Sequence, residues 1–413
     1  MARNVFLYSW VATPLVFFFA FTYSEAPNQI FWGYTFALFS LAISLSITNQ
    51  LVTSGIGELL ALMAGYFLAF YVVSFWEEFP GTTLDYGKFE LIYIVVAINS
   101  FVIGRNLQQE RVIGLQAGLA VILILITVVQ LILDSEQIRY GYGLQMMLCL
   151  PAAMVLRQYL IVVIGLIVML ASLHKTSLVA AVLSIIVIAF FSKKSMARPH
   201  SAFFNASILT LSIIIGLTVG GFFLQEILPT VARFFPEGSI TIMDINVESE
   251  GADPAREYVT LKTLMLLPEY FVRGMGFMNF YIWSGPEVGE YEVNRFGQVI
   301  VGVNIHNSYM TWLLEGGLLV SFTVIVLLYR TLKKAFALYS NNSSSSIGVL
   351  ALAWCVAVLT SAAFHQMHSS IQLWGTIGIT FGYYVQFFHE RQLSVNSMNG
   401  RVGLAPEGLL TKA

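Results

Sequence analysis

Apolar runs of about bilayer-crossing length recur along the whole chain, and they leave few folds open to it. In hydrocarbon every backbone N–H and C=O must be satisfied within the structure, which helices and closed barrels alone achieve. A helix needs about 20 apolar residues to cross. Twelve candidate segments can be drawn, at 5–23, 31–49, 57–76, 89–104, 112–133, 144–156, 159–173, 177–192, 204–228, 308–329, 347–365 and 371–388. Only 11% of the 413 residues are charged, against about 25% in soluble domains, and the mean hydropathy is +0.76. The predicted fold class is an all-α polytopic membrane protein, with about 12 transmembrane helices and one large periplasmic loop containing short helices. The first segment lacks a small-residue cleavage site behind a basic stretch and reads as a retained helix.

The least regular region is the pair 144–156 and 159–173, separated by Arg157-Gln158, where Pro151 is expected to break the first. The spans are nearly free of charge, with Glu58 the main exception. Cys149 and Cys355 fall inside spans and read as small buried apolar side chains, with neither a disulfide framework nor a zinc spacing. A net charge of −2 gives no reason to invoke nucleic acid.

Sidedness follows from lysine and arginine, which concentrate in cytoplasmic loops. With both termini cytoplasmic, inner segments hold 13 of the 21 basic residues and outer segments 8, five of these in one long loop. The expected organisation is helices one to nine over 1–228, a large periplasmic loop with an interfacial helix over 229–307, three more helices over 308–388, and a cytoplasmic tail over 389–413. The run Asn341-Asn342-Ser343-Ser344-Ser345-Ser346 is expected to be a flexible cytoplasmic linker.

This arrangement leaves Arg139, Lys175, Arg256 and His306 on the outer side. Lys175 lies in a tight turn between two apolar helices, where topology needs no positive charge. Such a cation either snorkels to the headgroups or serves an anionic ligand. In the loop, Asp253 followed by Pro254 signals a helix start. The helix is expected over 254–267, ending before Pro268. Arg256 falls in its first turn, where the helix N-terminus favours anions, or it pairs with Glu257 or Asp253. From 281 to 303 the loop is polar and glycine-spotted, with little periodicity, and reads as a lid or an acceptor-facing surface. The loop carries ten acids against five bases, so any anion site must be local.

Pro268, Gly274-Met275-Gly276-Phe277, His306-Asn307-Ser308-Tyr309 and Glu315-Gly316-Gly317 occur in that order at the end of this loop, with Arg256 fifty positions before the histidine. This set resembles the O-antigen ligase and O-antigen polymerase superfamily of bacterial envelope glycosyltransferases. An earlier element of that family appears altered, as His174-Lys175-Thr176-Ser177, with lysine where arginine is usual. Lysine keeps the charge and loses the bidentate geometry. The resemblance implies a bacterial inner-membrane enzyme with its active site facing the periplasm. It implies a glycan donor on undecaprenyl pyrophosphate, and transfer to a hydroxyl without metal, nucleotide sugar or other cofactor. The acceptor is the lipid A–core in a ligase and another lipid-linked glycan in a polymerase.

The chemistry matches these residue types. Breaking a sugar–pyrophosphate bond puts negative charge on the leaving group, which fixed cations must meet. Arg256, Lys175 and Arg139 are the available ones. The attacking hydroxyl needs a proton acceptor, and His306 is the outer-side candidate, or it hydrogen-bonds the pyrophosphate. Asn307 is expected to cap the following helix, and Glu315, nine residues beyond His306, to fix that helix or a neighbouring loop. His365 and His368 have a spacing that permits a metal, but no third ligand is evident.

A transporter or flippase is the competing function, and it would place polar groups and broken helices near the membrane midplane. A non-catalytic assembly protein is the third. The weak preference is for a ligase, whose signature the histidine segment matches better. The two native cysteines lie in spans, so a cysteine introduced at Glu287 should react with a membrane-impermeant maleimide in intact cells of outer-membrane-permeabilised bacteria. Labelling only after the inner membrane is opened would put the large loop in the cytosol.

Overall fold

The computed structural model describes residues 2–23, 27–133, 141–172, 175–191, 239–242, 245–248, 254–288, 292–293, 299–300, 305, 307–341, 346–363 and 370–402. The predicted segment 204–228 lies outside them. Eight helices come first: α1 (Ala2–Tyr23), α2 (Pro27–Ile47), α3 (Gly57–Val73), α4 (Thr82–Asn106), α5 (Gln109–Leu133), α6 (Gly141–Val155), α7 (Tyr159–Ala171) and α8 (Lys175–Phe191). The loop region holds the hairpin β1 (Ser239–Ile242) and β2 (Ile245–Glu248), the helices α9 (Pro254–Tyr270) and α10 (Asn279–Val288), and the short pair β3 (Glu292–Val293) and β4 (Val299–Ile300). The chain finishes with α11 (Ser308–Leu314), α12 (Gly317–Asn341), α13 (Ser346–Ala362) and α14 (Ile371–Val402). Stretches within α2, α4 and α5 are long and apolar enough to cross a membrane, at Gln29–Ile47, Thr82–Asn106 and Gln109–Val129.

The structure is overwhelmingly helical, and it departs from the sequence expectations in specific places. Pro151 sits inside α6 without ending it. The turn to α7 is made at Arg157, whose φ of 61° is left-handed, with Gln158 N donating to Ala153 O at 2.9 Å. Pro268 does not stop α9 either: the helix runs to Tyr270, and Phe271 N donates to Leu267 O at 2.8 Å. Proline removes one bond and crowds the preceding turn, but Tyr270 is buried in a small core and holds the last turn in place. The stretch 281–303, expected to be irregular, begins as the greater part of α10. The expected span 308–329 is not continuous, because it breaks between α11 and α12, and α12 then runs on to Asn341. Helix α14 likewise extends to Val402, well into the expected tail.

The tightest packing in the bundle is between α4 and α14. A Cβ on Gly378 would fall on the Ala97 carbonyl oxygen, and one on Gly382 on that of Phe101 and 2.8 Å from Arg105 N. From the other side, a Cβ on Gly104 would stand 2.5 Å from Ile379 O. Because 97 faces 378 and 101 faces 382, the two helices run parallel. Small residues let backbones approach this closely, the usual device of membrane helix pairs.

The bundle has two distinct ends. At one end Arg3 Nη2 donates to Asn106 O at 2.5 Å, and Lys334 Nζ lies 2.8 Å from Glu58 Oε2. Lys334 also stands 4.0 Å from the Tyr384 ring centroid, a desolvated cation over an aromatic face. Glu58 is thus paired, while a second carboxyl, Glu90, is fully buried in α4, where its Oε2 accepts from Tyr66 Oη at 3.1 Å. The α3–α4 connection and residues 270–280 meet at the opposite end. Replacing Gly378 by valine should cost about 3 kcal/mol or more, as overpacking does in a filled core. The check is a fall in folded protein recovered from membranes, with Gly33→Val, where nothing lies within 4 Å, as the tolerant control.

Candidate functional site

The segments singled out in the sequence as Gly-x-Gly and Glu-x-Gly lie against each other. After α9 the chain turns, with Gly274 N donating to Tyr270 O at 2.7 Å. Met275 N then donates to Leu314 O at 2.9 Å, Gly276 N to Glu315 O at 3.0 Å, and Leu318 N to Val272 O at 3.2 Å. Both strands of this joint need glycine. Gly274 has a φ of 78° and Gly317 a φ of 64°, and a Cβ on Gly274 would stand 2.5 Å from Glu315 O. Left-handed backbone and lack of room coincide, so no other residue fits there.

The α3–α4 connection closes the joint from a third direction. Glu78 N donates to Met275 O at 3.0 Å, Phe277 N to Thr83 Oγ1 at 2.9 Å, and Phe79 N to Asn279 Oδ1 at 2.5 Å. Tyr270 Oη donates to Glu78 Oε2 at 3.1 Å. Phe277 is fully buried and stacks on Phe70, centroids 4.3 Å apart, which anchors the joint in the bundle. That burial contributes roughly 1.5–3 kcal/mol.

Glu315 is the polar centre of the joint. It lies between α11 and α12 and is only 5% exposed. Its Oε1 accepts from Phe280 N at 3.1 Å, and it also takes a backbone hydrogen bond from Met278. These are the first amides of α10, so the carboxyl caps a helix N-terminus from another element.

Asn307 caps α11: its Oδ1 accepts from Tyr309 N at 3.0 Å and from Met310 N at 3.2 Å. Ile305 is buried with Tyr270, Met275, Phe280 and Leu314 in a core separate from that of the bundle. Tyr309 Oη donates to Leu359 O at 2.8 Å, tying α11 to α13. The residues on either side of position 306 are therefore fixed. His306 and Arg139 themselves lie outside the described residues, as do His365 and His368. Arg256 stands in the first turn of α9, about 21 Å along the helix from Tyr270 at 1.5 Å per residue. Lys175 is the first residue of α8. The far end of that helix, Phe191, meets Tyr339 late in α12, so Lys175 begins α8 at the end of the bundle where α12 starts. The side chains of Arg256 and Lys175 are outside the described set.

The structure thus assembles Asn307, Glu315 and the glycines into one unit. It adds Glu78, Thr83 and Asn279, which the sequence reasoning missed. For Glu78 the only signal was the polar turn Trp76-Glu77-Glu78-Phe79-Pro80-Gly81 between two apolar helices. No protein-family model matches the chain, and no curated protein matches it in sequence.

Proposed function

We propose that the chain is a membrane glycosyltransferase that moves a glycan from a polyprenyl pyrophosphate carrier to an acceptor hydroxyl, in the manner of an O-antigen ligase. The observation that carries this is the joint. Motifs separated by about forty residues in sequence, whose order prompted the resemblance, form one interlocked backbone unit at one end of the bundle, where α11 gives way to α12. A shared scaffold is what a common active-site architecture requires, because catalytic groups must be held by rigid elements.

In this proposal, His306, which follows Ile305 and precedes Asn307 in sequence, takes the proton of the acceptor hydroxyl. The hydroxyl oxygen attacks the anomeric carbon, the bond from that carbon to the pyrophosphate oxygen breaks, and the pyrophosphate leaves with the bonding pair. Arg256, Lys175 and Arg139 stabilise that developing charge. Asn307 and Glu315 position the histidine segment and do not touch the reacting atoms. The twelve spans, the periplasmic placement of the loop and the bacterial inner-membrane location belong to the same proposal. The gathering of Arg3, Arg330 and Lys334 at the end opposite the joint supports this orientation.

In a strain lacking the native copy, His306→Ala and Arg256→Ala should each lower glycan transfer by about 10²-fold or more while the protein stays in the membrane. Normal transfer by both variants would remove the assignment. The lipid A–core profile of the deletion strain separates the two acceptors. Full-length polymer lacking attachment marks a ligase, and single attached repeats mark a polymerase.

A further inference from the structure

Away from the joint, helices α1, α4, α5, α6, α13 and α14 line a half-open cavity of about 70 Å³. A single buried water needs about 10–15 Å³, so the space takes something larger. Its lining is mostly apolar, with a group of polar side chains set into it. Three carboxamides line it, Gln116 from α5, Gln145 from α6 and Gln372 from α14, with the hydroxyls of Ser100 and Thr376 beside them. Every side chain in the wall is uncharged.

Gln145 is only 6% exposed, and its Nε2 has no hydrogen-bond partner among the described residues. Leaving a buried amide unpaired costs about 1–3 kcal/mol, which leucine of similar size would avoid. Gln116, in contrast, accepts from Cys149 Sγ at 3.1 Å. The two indoles in the wall have already used their N–H groups. Trp10 Nε1 donates to Ser100 Oγ at 3.1 Å and Trp354 Nε1 to Leu148 O at 2.8 Å. What they offer the cavity is carbon surface.

The wall therefore asks for a ligand with no charge, several hydroxyls and one apolar face. An anion such as pyrophosphate would be desolvated there without a cation to meet it. A cluster of waters would leave the indole and aliphatic surfaces unserved. We propose that this cavity is a binding site for a single neutral sugar ring, its C–H face on the indoles and its hydroxyls on the carboxamides. This inference rests on the cavity wall and is independent of the transferase proposal.

The test uses the full chain in phosphatidylcholine nanodiscs prepared without sugar-headed detergents. Saturation-transfer NMR with D-glucose reads a free sugar, with empty discs as baseline. Native mass spectrometry with monoglucosyl diacylglycerol against plain diacylglycerol reads a lipid-borne one. One of the two probes should bind, and Gln145→Leu combined with Gln372→Leu should weaken it about tenfold or more. A Cβ on Gly375 meets only Ser100 Oγ, at 3.6 Å, so Gly375→Ala should fold and should also reduce binding by intruding on the space. Absence of binding by both probes at about 10 mM overturns the proposal. So does binding undiminished in both variants, each checked for wild-type helicity and elution. Loss of sugar binding with His306-dependent transfer intact would leave the function proposed above standing.

Discussion

Two backbone segments that lie face to face, 274–276 and 314–317, set the geometry of one whole end of this protein. Main-chain hydrogen bonds join them, and glycine is what allows the approach. Around that contact the other parts take their places. Glu315 reaches the first amides of α10, the α3–α4 connection reaches Met275 and Phe277, and Asn307 begins α11. The constraint is steric before it is electrostatic. A methyl group at position 274 or 317 would separate the segments, and the hydrogen bonds depend on that separation staying small.

Much of the fold was legible in the sequence because hydrocarbon simplifies the problem: apolar runs become helices, and their bounds fall near the first polar residues. The cap at Asn307 was legible for the same local reason, a side chain placed to accept from the amides of its own first turn. The failures share a cause. Pro268 was expected to end a helix, but burial of Tyr270 outweighed the lost hydrogen bond. The run from Ser308 reads as one apolar span, and only the partner segment at 274–276 explains why it breaks at Glu315-Gly316.

The candidate site divides along the same line. The cap at Asn307 and a role for Glu315 in fixing its helix or a neighbouring loop could be read locally, whereas the joint between 274–276 and 314–317 could not. Glu78, Thr83 and Asn279 could not be inferred, because their roles exist only across some two hundred residues of intervening chain. Glu90, at the start of the segment drawn over 89–104, is fully buried, with its carboxyl against Tyr66. Sequence hydropathy averages over such groups and does not see which way they face.

The parallel seam between α4 and α14 has a consequence for motion. Two helices whose carbonyls and glycine α-carbons touch along about two turns cannot slide or separate without losing many contacts at once, so they behave as one strut. Whatever rearranges in this protein during work does so around that strut, in the less closely apposed helices on its flanks. It therefore supplies the fixed frame from which any displacement elsewhere in the bundle is to be measured.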